Sequence, residues 1–487
     1  MGEAWDLNQT LISFSEVDHW TIKDACEGVQ IVGGTGSGKT SGSGQTIAKT
    51  YLASGFGGVI LTVKPNEADE WEKWAVEAGR EKSVIRVKPE EGFFFDFLDY
   101  EAQRENGGRT ENILDLFTRV VEIVSQSDLK NGDNAYFYLA NQQLLRNTID
   151  LCMLANGKVT LADVYRVIAT APTSTGETVK EKWQESSYCF QLLSIANAEW
   201  KTKAEHSYGL EMCASYFLTE YPRFGDRLRS SITTIFTASA DPFLRGDLRS
   251  LFSPDNPTSG NPTSGFNVMP EYCKDGAIII FDYDIKTYGL VGRVAQSLYK
   301  MMFQQCMERR DIKKDGGRPV FLWADENQNF INSFDVEFQQ TARSARVLTV
   351  YLTQNISNYH VSLGKGEHGR NQATSILGNL STKIFHANSD PDTNKWASSV
   401  FGSHWVIDES ESISKNAKVE EFDGLNVSKS TREIEKSVIE ARHFSELLKG
   451  GVENNLQVES IIHQAGRVWE STNANYIPVI FNQDFKV

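Results

Sequence analysis

The sequence predicts an α/β protein with a mostly parallel central sheet and an inserted all-α domain. Short apolar runs alternate with helical segments near the start of the chain, and the same alternation returns in its second half. A long stretch between these two parts has helical character only. Continuous apolar runs are typical of parallel strands that helices cover on both faces, and their alternation with helices is typical of an α/β fold.

The first predicted elements flank a glycine-rich turn. Residues 28–33 predict a strand, and a helix is expected from about Lys39 to Leu52. The elements that follow are a strand at 58–63 (GVILTV), a helix at 67–79 and a short strand at 84–87. In the second half, core strands are predicted at 277–281, 320–324, 347–352 and 383–386, with a helix at 291–307.

The stretch at 112–219 predicts helices and no strands. Its apolar residues recur at helical spacing, as in the stripe formed by Leu144, Leu145, Ile149, Leu151 and Cys152. The part of the chain after about 405 mixes short alternating stretches with polar loops and gives no clear pattern. The tandem NPTSG repeat at 256–265 predicts a surface loop.

The composition is that of an ordinary globular protein of 487 residues. Its 49 basic and 64 acidic residues give a net charge of -15, so any contact with nucleic acid must be local. The six cysteines form no C-x-x-C pair and are expected to be reduced, and no histidine or cysteine spacing indicates a metal site. No stretch of consecutive apolar residues is long enough for a membrane span, and the start of the sequence has no signal-peptide pattern. The predicted localisation is therefore the cytoplasm.

A phosphate-binding motif follows the first strand. Residues 33–40 read GGTGSGKT and fit G-x-x-x-x-G-K-[ST]. Glycines let the backbone wrap around phosphate oxygens, while Lys39 reaches the β- and γ-phosphates and Thr40 offers its hydroxyl to Mg²⁺. The predicted nucleotide contacts are therefore Gly33, Gly34, Thr35, Gly36, Ser37, Gly38, Lys39, Thr40 and Ser41, with ATP and Mg²⁺ as the cofactors.

Hydrolysis needs a carboxylate at the end of another strand. Asp282 follows AIIIF, and Asp325 with Glu326 follows VFLWA. Only the second site offers two adjacent acids. Asp325 is predicted to hold Mg²⁺ and Glu326 to polarise the attacking water.

Two further positions have both a functional and an ordinary structural interpretation. Gln354 ends the apolar strand at 347–353, where an amide could sense the γ-phosphate, or it could simply cap a helix. Arg343 and Arg346 precede this strand, and a guanidinium could stabilise the transferred phosphoryl group or lie solvated at a helix end.

These motifs together resemble the HerA/FtsK superfamily of P-loop ATPases, and within it the TraG/TraD/TrwB-like type IV coupling proteins. The segments that carry the resemblance are IVGGTGSGKTSG, VILTVKPNEADEW, FFFDFL, FLWADENQNF, RSARVLTVYLTQN and SILGNLSTKIFHANSDPDTNKWASSVFG. The resemblance implies a RecA-like P-loop NTPase fold. Its predicted domains are a nucleotide-binding domain in two parts, 1–111 and 220–487, and an all-α insertion at 112–219.

The resemblance also implies roles. It makes Gln354 the sensor glutamine and Arg343 the arginine that reaches a neighbouring subunit's site in a hexameric ring. Two departures accompany it: coupling proteins commonly begin with membrane helices, which are not seen here, and Lys64-Pro65-Asn66 stands where the family often has Asp-Pro-Lys-Gly.

The leading functional hypothesis is an ATP-hydrolysing ring motor that translocates DNA or a DNA–protein complex in conjugative or type IV secretion-like transfer. The expected partners are DNA, further copies of the chain, and membrane secretion or relaxosome-like proteins that would recruit it to the inner membrane. The alternatives are an ATPase of a secretion or antiphage-defence complex that acts on protein or a partner effector, and a nucleotide-gated assembly scaffold.

Overall fold

The computed structural model describes residues 5–104, 107–125, 135–200, 207–253, 265–364, 366–415 and 425–486. The NPTSG repeat lies outside these residues except for its last glycine. The contacts divide the chain into two compact units. The first comprises 1–56, 323–328 and 339–487, and the second comprises 57–322 and 329–338.

The described residues form strands of two to thirteen residues. The strands are β1 (Thr10–Ser13), β2 (His19–Thr21), β3 (Val29–Val32), β4 (Gly57–Leu61), β5 (Val84–Val87), β6 (Phe93–Phe94), β7 (Phe266–Asn267), β8 (Ile278–Phe281), β9 (Val320–Ala324), β10 (Val347–Thr353), β11 (Thr382–Phe385), β12 (Ser403–Lys415), β13 (Leu425–Ser437), β14 (Gln457–Gln464) and β15 (Tyr476–Asn482).

Helices separate most of these strands. The α-helices are α1 (Ile22–Cys26), α2 (Gln45–Ala53), α3 (Glu67–Glu77), α4 (Phe97–Gln103), α5 (Thr110–Ser125), α6 (Ala135–Asn156), α7 (Leu161–Thr170), α8 (Glu181–Ser186), α9 (Tyr188–Trp200), α10 (Ser207–Ser215), α11 (Asp226–Ala240), α12 (Gly246–Phe252), α13 (Ile285–Glu308), α14 (Ser333–Thr341), α15 (Ile356–Ser362), α16 (Gly366–Asn379), α17 (Pro391–Phe401) and α18 (His443–Glu446). Within the part of the chain that is described, none of them has both the length and the apolar character that a bilayer crossing requires.

The first unit contains strands in the order β15-β14-β11-β3-β10. β3 lies parallel to both β10 and β11, and all four of its residues are buried. β14 and β15 continue this arrangement in antiparallel orientation. The carboxyl ends of β3 and β10 therefore lie at the same edge, where a parallel sheet places its ligand sites.

The second unit contains the parallel strands β4, β8 and β5 and all the helices from α3 to α13. β8 lies between β4 and β5, and Ile278–Phe281 are completely buried. The helices between β6 and β7 continue past residue 219, because α11 and α12 extend to Phe252. The limits of the inserted domain stay a prediction, while the α/β class and the mostly parallel strands are confirmed.

The predicted core strands are all present within about one or two residues of their expected ends. The helix expected from Lys39 begins differently, as a π-helical segment at Thr40–Gly44 that leads into α2. Gly44 donates its N–H to the carbonyl of Lys39, five residues earlier, at 2.9 Å. Gly42 and Gly44 of this segment allow the wider π-helical winding because neither has a side chain that would crowd the neighbouring residues.

A buried ion pair in the second unit joins α13 to α14. The Nζ of Lys300 donates to Asp335 at 2.5 Å, and both side chains are fully buried. Asp335 also accepts from Gln304 Nε2 and from the N–H of Asn332, each at 2.8 Å. Burial lowers the pKa of Lys300, and the neighbouring Asp335 carboxylate opposes this effect.

We expect Lys300→Met to lower the midpoint of thermal unfolding, because it leaves a buried carboxylate without its counter-charge at a cost of about 3–5 kcal/mol. The matched control is Lys314→Met, which removes a lysine that is 86% exposed and 3.6 Å from Asp311; its cost should stay below about 1 kcal/mol. Differential scanning calorimetry measures both. Equal midpoints for the two variants would contradict a structural role for the buried pair.

Candidate active site

The glycine-rich turn at 33–38 leaves the carboxyl end of β3 and is fixed by its neighbours. The N–H of Gly33 donates to the carbonyl of Thr353 at 3.2 Å, and that of Gly34 donates to Ala387 at 2.9 Å. Gly38 has a φ of 82°, and a Cβ at this position would lie 2.7 Å from Val458. Only glycine therefore fits at Gly38, on grounds of both backbone conformation and space.

One side chain of the turn has an unsatisfied polar atom. Ser37 is buried, and its Oγ has no hydrogen-bond partner in the part of the chain that is described. A buried hydroxyl without a partner costs free energy unless a ligand supplies one. An oxygen-rich anion in the turn would satisfy this group.

Both predicted acids meet the end of the turn. Lys39 Nζ lies 3.1 Å from Glu326 Oε1, and Thr40 Oγ1 donates to Asp325 Oδ2 at 2.8 Å. All but Thr40 are buried. The structure thus brings together, within the first unit, the lysine, the hydroxyl and the two carboxylates that the sequence predicts for one site.

Two glutamines hold the Glu326 carboxylate. Gln354 Nε2 donates to its Oε1 at 3.0 Å, and Gln328 Nε2 donates to its Oε2 at 2.8 Å. Burial raises the pKa of Glu326, but the charge of Lys39 and these hydrogen bonds outweigh it, so the pKa lies below its usual value. Glu326 is therefore ionised at neutral pH, and its backbone adopts a φ of 50°, which is uncommon outside glycine.

Gln354 also contacts the glycine-rich turn. Its Oε1 accepts a hydrogen bond from Thr35 Oγ1 at 3.1 Å, and its backbone carbonyl accepts from Asn388 Nδ2 at 2.8 Å. The side chain therefore spans the gap between the turn and Glu326. This position is compatible with the predicted sensor role.

Arg343 lies away from these residues. Its side chain is 61% exposed and its Nη1 is 3.2 Å from Glu27 Oε1, just before β3 begins. The site residues follow the carboxyl ends of β3 and β10, whereas Arg343 precedes the amino end of β10. At about 3.3 Å per residue, the seven residues of β10 separate the two edges by roughly 20 Å. Arg343 cannot reach the site of its own chain.

Asp282, the other strand-end acid, belongs to the second unit. Its carboxylate accepts from Arg86 Nη2 at 2.7 Å, and Arg86 is also paired with Asp69 and Glu72. Asp282 therefore has a structural partner, which agrees with the choice of Asp325 and Glu326 over it.

Three site residues were not predicted from the sequence. Gln328 contacts Glu326 as described above. His386 Nε2 is 2.7 Å from Ser43 Oγ and its Nδ1 is 2.9 Å from the carbonyl of Glu459. Because a carbonyl only accepts, Nδ1 carries the proton and Ser43 donates to Nε2. Burial lowers the pKa of His386 to about 4, so it is neutral.

The third is Gln483, which follows β15 and contacts the helical residues just after the glycine-rich turn. Its Nε2 donates to Ser41 Oγ at 2.6 Å, and its Oε1 accepts from the N–H of Gly451 at 2.7 Å. Gln45 Nε2 donates to the carbonyl of Gln483 at 3.3 Å. Residues near 450 and 483 therefore cover the outer side of the turn.

One known protein family matches part of the chain. Residues 319–449 match the family described as the TraM recognition site of TraD and TraG. No curated protein sequence matches the chain.

Solved structures match the chain as a whole. The bacterial conjugative coupling protein TrwBdeltaN70, in an unbound form, matches with a TM-score of 0.59 and 14% identity, over 99% of this chain and 90% of that chain. The plasmid coupling protein TrwB in complex with ADP and Mg²⁺ matches with a TM-score of 0.57 and 13% identity, over 96% of this chain and 88% of that chain. The resemblance to TraG/TraD/TrwB-like coupling proteins is thus confirmed: the chain has the RecA-like α/β fold of TrwB, and residues 319–449 match the TraD and TraG family.

Proposed function

We propose that this chain is an ATPase that moves DNA or a DNA–protein complex in conjugative or type IV secretion-like transfer. The observation that carries the proposal is the meeting of Lys39 and Thr40 with Glu326 and Asp325 at one edge of a parallel sheet. A lysine-bearing glycine turn facing a strand-end acidic pair is the arrangement that phosphoryl transfer from a nucleotide requires.

The residues present fit a magnesium-bound triphosphate. The glycine turn at 33–38, the buried Ser37 hydroxyl and Lys39 suit phosphate oxygens, and Ser41 follows at the start of the helical segment. Thr40 Oγ1 and Asp325 Oδ2 are hard oxygen ligands that lie 2.8 Å apart. Mg²⁺, when bound to them, supplies positive charge against the β- and γ-phosphates.

Catalysis would begin with an exchange of partners. Lys39 now neutralises Glu326, and a triphosphate offers it several negatively charged oxygens instead. Once Lys39 turns to the phosphates, Glu326 keeps its charge and can accept a proton from, or orient, a water aimed at the γ-phosphorus. Gln354, between Thr35 and Glu326, is placed to detect that phosphate.

Arg343 would act on a neighbouring copy. It lies at the amino edge of the sheet, remote from its own site and largely exposed. A guanidinium presented in trans stabilises the transferred phosphoryl group and makes hydrolysis depend on the neighbour. We therefore propose a ring of several subunits, a hexamer by resemblance, with each nucleotide at a subunit boundary.

The cargo and partners are inferred from the relatives. TrwB is described as a conjugative and plasmid coupling protein, and the family matched by 319–449 as the TraM recognition site of TraD and TraG. We infer that this chain likewise couples DNA, and proteins assembled on it, to a secretion complex at the inner membrane while itself working from the cytoplasm. Its net charge of -15 requires that DNA contacts be confined to a local surface.

The first test replaces the proposed base. Glu326→Gln should keep ATP binding and lower turnover by about 100-fold or more, because the amide cannot accept a proton. Asp282→Asn is the matched control, since it also changes a strand-end acid to its amide but sits beside Arg86. Phosphate release and nucleotide titration measure the two properties. If Glu326→Gln hydrolyses ATP as fast as Asp282→Asn, the assignment is wrong.

The second test removes the proposed trans arginine. Arg343→Ala should lower turnover by about 10³-fold while each subunit still folds and binds nucleotide. Glu27→Gln, which removes the partner of Arg343 within its own chain, should leave turnover close to wild type. Recovery of turnover when Arg343→Ala is mixed with Glu326→Gln would support action in trans. Full activity in an isolated monomer would exclude it.

The third test addresses the cargo. Single- or double-stranded DNA should raise the turnover of wild-type protein, and the gain should fall as salt rises because DNA contacts release counterions. ATPase assays with and without DNA, across a salt series, measure the effect. Robust turnover that DNA leaves unchanged would favour a protein substrate or a partner effector. Ring formation with ATP but no turnover would favour a scaffold.

A further inference from the structure

The Glu326 carboxylate is held from two sides in the structure. Lys39 and Gln354 both approach Oε1, whereas Gln328 approaches the other oxygen, Oε2. Lys39 and Gln354 are the two residues for which the proposed function gives a second task, contact with the triphosphate. Gln328 has no such task, because neither of its side-chain contacts involves the glycine-rich turn.

Gln328 is itself fixed in orientation. Its Oε1 accepts from Thr353 Oγ1 at 2.9 Å, and its backbone carbonyl accepts from Ser362 Oγ at 2.8 Å. A carboxylate only accepts hydrogen bonds, so the amide NH₂ must face Glu326 and the amide oxygen must face Thr353. Thr353 is completely buried at the end of β10. The side chain of Gln328 therefore links Glu326 to the last residue of β10, which Gln354 follows.

We propose that Gln328 is a positioning residue that keeps the Glu326 carboxylate oriented towards the attacking water while Lys39 and Gln354 contact the triphosphate. This inference rests on the proposed ATPase function. The hydrogen bond from Gln328 to Oε2 survives the exchange of partners at Oε1, so the carboxylate is neither released nor reoriented.

The chain offers variants that separate this role from a structural one. Gln328→Ala removes the donor, and Gln328→Glu keeps the shape but places a second negative charge beside Oε2. Thr353→Val keeps the buried volume and removes the hydroxyl that orients Gln328. Gln372→Ala, on α16, changes a glutamine whose exposed side chain contacts His368, and it serves as the control.

The experiment compares kcat and KM for ATP of each variant with those of wild type, with a thermal melt of each protein. Gln328→Ala should lower kcat about 10-fold with KM for ATP and the melting midpoint unchanged, since a hydrogen bond to a charged group is lost. Gln328→Glu should show a steeper fall and Thr353→Val a smaller one.

The outcomes are distinguishable. A wild-type kcat in Gln328→Ala overturns the inference while the ATPase proposal stands. A lowered melting midpoint with a raised KM also overturns it, because that pattern is structural. Absence of turnover in wild-type protein overturns the ATPase proposal itself, and the inference with it.

Discussion

The buried ion pair between Lys39 and Glu326 joins segments that are nearly three hundred residues apart in the chain. Removing both charges from water is costly, and the cost is recovered only where geometry and further hydrogen bonds are good. The first unit supplies these through the parallel alignment of β3 with β10 and through Gln354 and Gln328. In the structure, the positive charge of Lys39 balances the negative charge of Glu326. A triphosphate would compete with Glu326 for Lys39 and leave the carboxylate without its counter-charge.

A parallel sheet also separates the site from Arg343. Every strand of β3, β10 and β11 runs the same way, so residues before the strands lie at one edge and residues after them lie at the other. The chain therefore presents Arg343 at one edge and the candidate active site at the other. The trans role proposed for Arg343 would require head-to-tail contacts between copies of the chain, and such contacts form rings where the rotation between copies closes.

Much of the site could be predicted from the sequence because it depends on local pattern. A strand followed by a lysine-bearing glycine turn, and an apolar run that ends in two acids, identify Lys39 and Glu326 without knowledge of the fold. Gln354 could be proposed because it ends a strand. Gln328 and His386 could not, since their importance comes from contacts with Thr353, Ser43 and Glu459 that only the folded chain brings about.

The strands also differ in whether a local sequence pattern predicts them. Core strands buried on both faces, such as β8 and β9, are continuous apolar runs and were predicted within about two residues. β12 and β13 pair antiparallel and are mostly polar, and β14 (QVESIIHQ) pairs antiparallel with β15 but has no regular two-residue period, so no simple pattern marks these strands. The π-helical turn after Lys39 depends on close packing against Val458, which no local pattern records.

Val458 lies against Gly38 of the glycine-rich turn, and Gln483 bonds to Ser41 just after it, although both are more than four hundred residues further along the chain. During synthesis the turn leaves the ribosome before the strands that cover it. A chain halted before β14 would therefore lack the residues that pack against the outer side of the candidate site. We expect the first unit to complete that site only after β14 and β15 have been made.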